Sequence, residues 1–191
     1  MLTQLSTLKN RLGIDDSDIK DDAILTRTIN AISARFDMEC KRTFARTMND
    51  AHEFDPLDIE IAPRCYPIES VIRFELKTSE AEGWVAQTDV MFLLRRSCVI
   101  ALVDRLGTAP QQARVIYTGG YVLPGSTVGA GQTALPADLE TAAIEMVVFW
   151  YQNRDRVGVN RVWPRGGLFE EFQDIDLIPS VRAVLEKYER I

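Results

Sequence analysis

The chain has 191 residues, of which 46% are hydrophobic and 26% are charged. This composition is typical of a folded globular protein and excludes disorder along the whole chain. The formal net charge of −6 disfavours a general phosphate-binding surface, although it is compatible with a local basic patch. The sequence does not open with a basic region followed by an apolar run, and no apolar run reaches membrane-spanning length. We therefore expect neither a signal peptide nor a membrane contact.

The three cysteines, Cys40, Cys65 and Cys98, lie far apart and match neither a metal-binding nor a redox spacing. We expect reduced thiols, most of them buried. This cysteine usage is typical of a protein that is made in the cytoplasm.

The N-terminal region predicts a first short helix. Leu5, Leu8 and Leu12 recur at helical spacing. Thr3 can cap the start of this helix and Gly13 can end it.

A second helix is predicted from about residue 21 to residue 41, after an acidic run at 15–22. Carboxylates in that place favour the positive, N-terminal end of a helix. The run does not fit a calcium-binding EF-hand loop, because Asp21 and Arg27 stand where such a loop needs glycine and glutamate. The apolar stripe of this helix consists of Leu25, Ile29, Ile32 and Phe36.

Residues 54–121 predict a β-rich insertion. Three prolines in its first part exclude long helices. Strand character is strongest at 71–76, 97–103 and 113–117, each close to a glycine or a polar turn, whereas 90–94 is ambiguous. We expect a small antiparallel sheet between helical parts of the chain.

Residues 118–134 predict a flexible, glycine-rich loop. The end of this loop superficially resembles a phosphate-binding loop, but Gln132 stands where that motif needs a lysine, which disfavours nucleotide binding. The glycines of the loop are Gly119, Gly120, Gly125, Gly129 and Gly131.

A long helix is predicted from Pro136 to about residue 154, and it is apolar on nearly every side. A helix of this kind is buried on more than one side. Either the chain's own residues surround it, or a second stripe faces another subunit. The first stripe consists of Leu139, Ala143, Met146 and Trp150. The second stripe consists of Ile144, Val148 and Tyr151.

Residues 153–178 predict a less regular segment before a last helix that begins near Pro179. Its basic and aromatic side chains suit a protein partner, and they suit single-stranded nucleic acid less well because acidic residues follow closely. These side chains are Arg154, Arg156, Arg161, Trp163 and Arg165.

The sequence shows no catalytic motif. His52 is the only histidine, and no nucleophile motif accompanies it. Glu170 and Glu171 are adjacent in sequence, but adjacent carboxylates need not point in the same direction. We predict that the chain is not an enzyme and that it holds no cofactor or metal.

Four stretches of the sequence resemble the head–tail connector, or adaptor, proteins of long-tailed phages, which dock beneath the portal ring. Their order and spacing, more than any single stretch, carry the resemblance. They are Leu12-Gly13-Ile14 followed by 21–25, then 66–71, then 115–121, and finally 135–139 with its continuation through Trp150-Tyr151-Gln152-Asn153-Arg154.

The predicted elements give an α+β fold that is mainly α. The resemblance implies a small helical bundle with an inserted antiparallel β element, in a single connector domain spanning 1–191. It also implies a structural virion protein at the head–tail interface, made in the host cytoplasm. Such a protein forms a homo-oligomeric ring of twelve subunits between the portal protein and a stopper or tail-completion protein. DNA passes through the channel of the ring without specific binding.

The resemblance also gives roles to the segments described above. The subunit interface is expected at Ile144, Val148, Trp150 and Tyr151. The glycine-rich loop becomes a channel or assembly loop, and 153–178 becomes an arm that docks on the portal or on a neighbour. The alternatives are a tail-completion protein and, less well supported, a small nucleic-acid-binding protein or an enzyme.

Overall fold

The computed structural model describes residues 1–154, 161–162, 170–171 and 176–190. The chain divides into two compact units. We call Met1–Cys40 with Pro136–Glu189 the helical unit, and Lys41–Leu135 with the C-terminal Arg190–Ile191 the β unit.

The helical unit contains the four helices of the described residues: α1 (Leu5–Leu12), α2 (Asp22–Glu39), α3 (Ala137–Gln152) and α4 (Pro179–Leu185). Gly13 ends α1 in a left-handed conformation, φ 71°, and its amide donates a hydrogen bond to the carbonyl of Asn10. The predicted stripe of α2 is confirmed, because its buried residues are Leu25, Ile29, Ile32 and Phe36.

The β unit is built on two antiparallel sheets. The larger sheet has the order β1-β7-β3-β4, and its strands are β1 (Thr47–Phe54), β3 (Ile68–Lys77), β4 (Trp84–Gln87) and β7 (Gln112–Gly119). The smaller sheet has the order β2-β6-β5, and its strands are β2 (Glu60–Ile61), β5 (Phe92–Arg95) and β6 (Val99–Leu102). A short pair completes the β unit: β8 (Tyr121–Val122) with β9 (Thr133–Ala134). The other short pair, β10 (Arg161–Val162) with β11 (Glu170–Glu171), belongs to the helical unit.

Both sheets contribute side chains to one apolar core. Phe74 and Val115 come from the larger sheet, while Ile100 and Leu102 come from the smaller one. At its centre lies Tyr117, whose side chain is fully buried.

The Tyr117 hydroxyl is satisfied on both sides. It donates to Asp50 Oδ2 at 2.9 Å and accepts from the amide of Cys65 at 3.1 Å. Burial, reinforced by the Asp50 carboxylate, raises the pKa of Tyr117 well above its ordinary value. The phenol therefore stays neutral and works as a structural hydrogen-bonding group.

The prediction of a fold that is mainly α, and of a helical bundle, is wrong, although the α+β class is confirmed. Helix and strand make up about 30% and 28% of the residues that the structure describes. The pattern missed β1, in which Thr47 is the only β-branched residue, so that propensity alone does not mark it as a strand. Pairing with β7, far away in the sequence, makes β1 a strand.

Residues 118–134, predicted as a flexible loop, begin and end in strands. Gly119 is the last residue of β7, Gly120 follows it, and both are buried. Because β8 and β9 occupy residues near both ends of this segment, its irregular part is limited to residues 123–132, which contain Gly125, Gly129 and Gly131. The flexibility of this shorter loop stays a prediction.

Gly120→Ala should strongly destabilise the β unit. Gly120 has a φ of 99°, and an added Cβ would lie 2.6 Å from the carbonyl oxygen of Ala45 and 2.8 Å from Cys65 Sγ. Gly131 is a matched control, because its φ is 77° but an added Cβ meets nothing within 4 Å.

Urea unfolding should show a loss of about 1–2 kcal/mol for Gly131→Ala, from backbone strain alone. The loss for Gly120→Ala should be at least about 3 kcal/mol, because the clash with fixed backbone adds to that strain. Equal losses for the two variants would show that close packing around Gly120 is unimportant.

Candidate assembly surfaces

Helix α3 is the central element of the helical unit, in which it packs against α1, α2 and α4. The first predicted stripe is core over most of its length, since Leu139, Ala143 and Met146 are buried. Trp150 is half-buried, and its indole Nε1 lies inside without a hydrogen-bond partner among the described residues. Much of the apolar surface of α3 is therefore covered by the chain's own helices.

The second stripe of α3 is neither core nor free surface. Ile144, Val148 and Tyr151 are all half-buried. A half-buried apolar side chain keeps exposed area that a second molecule can cover, whereas a fully buried side chain does not. The interface role of this stripe stays a prediction.

Tyr151 also has contacts within its own subunit. Its hydroxyl donates to the Asp21 carboxylate beside the start of α2, and this hydrogen bond raises the pKa of Tyr151. The guanidinium of Arg154 lies 4.1 Å from the centre of the Tyr151 ring and donates to the Tyr151 carbonyl oxygen at 3.0 Å. A change at Tyr151 therefore disturbs the helical unit as well as any interface.

Lys9 organises the loop before α2, and the sequence did not predict this role because lysines are mostly exposed. Lys9 is 2% exposed. Its ammonium group donates to the carbonyl oxygens of Asp16 at 2.9 Å and Asp18 at 2.7 Å, and it lies 3.0 Å from Asp22 Oδ1. The loop folds around a buried cation whose donors are satisfied, as burial of a charge requires.

Arginines on the larger sheet are held by carboxylates. Glu75 accepts hydrogen bonds from Arg73 Nε at 2.7 Å and from Arg114. Burial alone would raise the pKa of Glu75, but the hydrogen bonds and charges of the two arginines outweigh it and lower the pKa. The Arg114 guanidinium also lies 4.3 Å from the centre of the Trp84 ring. These cations are therefore partly neutralised by their own chain.

Exposed acidic side chains lie on and directly after β1, an edge strand of the larger sheet. Residues 47–61 contain five acidic side chains and neither lysine nor arginine. Asp50 is bound to Tyr117 inside, and Glu60 pairs with Arg95 across the smaller sheet. The remaining three acidic side chains are exposed, and we call them the acidic flank: Glu53, Asp55 and Asp58.

Apolar side chains lie among the residues of the acidic flank. Met48 is 66% exposed, Ile59 49% and Leu57 39%. Among the described strands, β1 pairs only with β7, so its other edge carries free backbone groups. The sequence displayed this run of acidic residues, but only the sheet order shows that it borders an edge.

The predicted basic docking residues are only partly within the described residues. Arg154 is exposed at the end of α3, and Arg161 belongs to β10. Arg156, Trp163 and Arg165 lie outside the described residues, as does most of the predicted docking arm at 153–178.

The histidine and the three cysteines are all buried or half-buried. His52 lies on β1 opposite Val115, and burial, followed by the charges of Arg190 and Arg64, lowers the pKa of its imidazole. Cys40 and Cys65 are buried, while Cys98 is half-buried. Burial raises the pKa of Cys65, which keeps it protonated. In the part of the chain that the structure describes, no group of His, Cys, Asp or Glu could hold a metal ion.

No protein-family profile matches the sequence, and no curated protein matches it. The fold, however, is similar to that of solved chains from gene transfer agent (GTA) particles. A chain from the neck of an empty GTA particle, computed with C6 symmetry, is 14% identical with a TM-score of 0.61, covering 100% of this chain and 90% of that one. A chain from the virion of a native GTA particle is 15% identical, with the same TM-score and coverage.

A third similar chain comes from the neck of a native GTA particle computed with C12 symmetry. It is 14% identical with a TM-score of 0.59, over 98% of this chain and 88% of that one. At such identities the likeness shows a shared fold, and it extends over nearly the whole of each chain. Separately, none of the described helices is long and apolar enough to cross a membrane.

Val148→Glu should show whether the second stripe of α3 belongs to the core of one subunit or faces another subunit. Val148 is half-buried on the second stripe, so we expect a folded chain with a stability loss of about 1 kcal/mol but with weaker self-association. Thr141→Glu is the matched control, because Thr141 is an exposed residue of the same helix and receives the same charge. Circular dichroism and sedimentation velocity provide the two readouts. Unfolding of Val148→Glu alone would assign the stripe to the core.

Proposed function

We propose that this chain is a structural protein of the neck of a phage-like particle, where it forms a ring beneath the portal and joins the head to the tail. The observation that carries this proposal is the likeness to chains of GTA necks and virions over nearly the full length of both partners. A match of that extent involves both units of the chain, not one widespread motif.

Ring assembly is supported by the distribution of surfaces within each unit. A closed ring needs two different faces on every subunit, because each copy meets one neighbour on its left and another on its right. The half-buried stripe on α3 provides one candidate face, with Ile144 and Val148 at its centre and Trp150 and Tyr151 at its rim. The acidic flank on β1 provides a second, chemically different one. Twelve subunits are the number we propose, in line with the C12 symmetry of one similar neck.

The charge of the chain suits a channel through which DNA passes without being held. Twelve copies at −6 each carry roughly −70, and the part of this charge that faces a channel repels phosphates. Ion pairs within the subunit also weaken the attraction of several arginines for DNA phosphates. One example is Arg46, whose Nε lies 2.8 Å from Glu69 Oε1.

The purified chain should therefore bind duplex DNA weakly or not at all at physiological salt. A protein that neutralises many phosphates binds DNA tightly and loses affinity steeply as salt rises. Fluorescence anisotropy with labelled duplex DNA across a salt series measures this directly. Tight, salt-sensitive binding would contradict the proposed channel role.

Location in the particle tests the proposed function itself. Particles purified from cells that encode the chain should carry it at the head–tail junction, as detected by gold-labelled antibody in negative-stain images. Cells in which the gene is deleted should yield filled heads without tails, and a plasmid copy should restore joined particles. Label along the tail or on the capsid surface, or joined particles without the gene, would contradict a neck role.

A further inference from the structure

Helix α2 carries a row of residues that its own subunit leaves exposed. Ile24 is 45% exposed and Met38 is 78% exposed, and Arg27, Ala31 and Ala34 between them are also exposed. We call these five residues the α2 row. The buried residues of α2 occupy other positions of the helix, so the α2 row is not part of the core of its own subunit.

The spacing of the α2 row is that of a helix–helix contact. Its positions, 24, 27, 31, 34 and 38, are alternately three and four residues apart. This repeat keeps one face of a helix against a partner helix over several turns. The second stripe of α3 has the same spacing, because 144, 148 and 151 are four and three residues apart. Both helices therefore have a surface with the spacing that a partner helix requires.

We propose that the α2 row of each copy packs against the second stripe of α3 in the neighbouring copy, with the two helices parallel. This inference rests on the proposed ring function, and it names the surface that covers the stripe. A ring contact joins two different surfaces of one kind of chain. The α2 row and the stripe are such a pair, because they lie on different helices and differ in composition.

The side chains of the two surfaces complement each other in size. Ala31 and Ala34, in the α2 row, have small side chains, which let a second helix approach to about 8 Å between the axes. Ile144 and Val148 of the stripe are branched and only half-buried, so they keep apolar area that can pack over the alanines. Large residues facing small ones allow two packed layers to interdigitate.

The charges beside the two surfaces are opposite. Arg27 is exposed and forms no ion pair with the other described residues. Glu145, next to the stripe, is half-buried and accepts a hydrogen bond from Ser180 Oγ at 3.4 Å, which is long for a hydroxyl donor. If Ala31 lies over Val148 in parallel helices, Arg27 and Glu145 come together, because they lie four and three residues before these positions. Such pairs fix the orientation of packed helices.

Other occupants fit the stripe less well. Glu145 would repel the carboxylates of the acidic flank and the phosphates of nucleic acid. Two stripes that face each other would bring two copies of Glu145 together, with no arginine between them. The α2 row offers apolar residues and a cation at once, which makes a second copy of this chain, bound through its α2 row, the partner that the side chains favour.

A charge swap in the full chain tests the contact. The row variant carries Arg27→Glu, the stripe variant carries Glu145→Arg, and the combined variant carries both changes. Arg11→Glu and Glu186→Arg are the matched controls, because both residues are exposed in the helical unit and give the same two changes of charge. Circular dichroism should show that all variants are folded.

Sedimentation velocity should show that the row and stripe variants each lose self-association about 10-fold or more, because like charges then meet in the contact. An equimolar mixture of the two should associate as the wild type does, since opposite charges then meet at every contact between unlike copies. The combined variant should also associate as the wild type does, and the two controls should be unaffected. High salt should weaken the wild-type contact.

Crosslinking gives a readout that depends on position and not on charge. In a Cys98→Ser background, one variant carries Ala31→Cys and another carries Val148→Cys. With a short bismaleimide, the mixture should give a covalent dimer, whereas each variant alone should not. One chain that carries both cysteines should give a ladder of covalent oligomers, because every copy contacts two neighbours. Dimers of the Val148→Cys variant alone would show that two stripes face each other, and would overturn the proposal.

Three further outcomes also overturn the proposed contact. The first is a mixture of the row and stripe variants that stays dissociated while the combined variant associates, which indicates a contact within one chain. The second is self-association that neither variant changes. The third is a wild type that does not self-associate at any concentration. Failure of the swap and of the crosslink while the antibody labels the neck removes only this inference. Their success without labelling at the neck removes the proposed function and leaves the contact between copies.

Discussion

The hydrogen bonds of Tyr117 are the constraint on which the β unit depends. Its ring is fully buried where both sheets contribute to the core, so its hydroxyl must find partners inside. A buried hydroxyl without partners costs about 1–3 kcal/mol. Asp50 accepts from the hydroxyl and the Cys65 amide donates to it, which ties β1 and the segment before β3 to the centre of the larger sheet.

This constraint also determines which carboxylates face outward. Because Asp50 is held inside by Tyr117, β1 has a fixed register against β7, with Glu53 opposite Arg114. Glu53 and the carboxylates of the following turn then lie exposed beside a free strand edge. The hydrogen bond between Tyr117 and Asp50 in the core thus determines which carboxylates are exposed on the surface. The chain combines this charged edge with a half-buried apolar helix stripe in its other unit, and different faces of this kind suit assembly into a ring.

Sequence patterns predicted the features that depend on local periodicity or on a single backbone conformation. The stripe of α2 and the helix stop at Gly13 are examples. Features that depend on long-range pairing or on an exceptional side chain were not predictable. Strand β1 is polar in sequence and exists because of β7, and Lys9 is buried only because the following loop folds its carbonyl groups around it. The acidic residues of the flank are visible in the sequence, but their position at an edge is not.

A reconstruction of the neck of the intact particle by cryo-electron microscopy, with side-chain detail, tests the central claim most directly. The account predicts density for this chain in a closed ring beneath the portal, with the half-buried stripe of α3, centred on Ile144 and Val148, covered by the neighbouring copy. A neck in which the chain is absent, or in which it is present as separate copies that do not touch, would contradict the account.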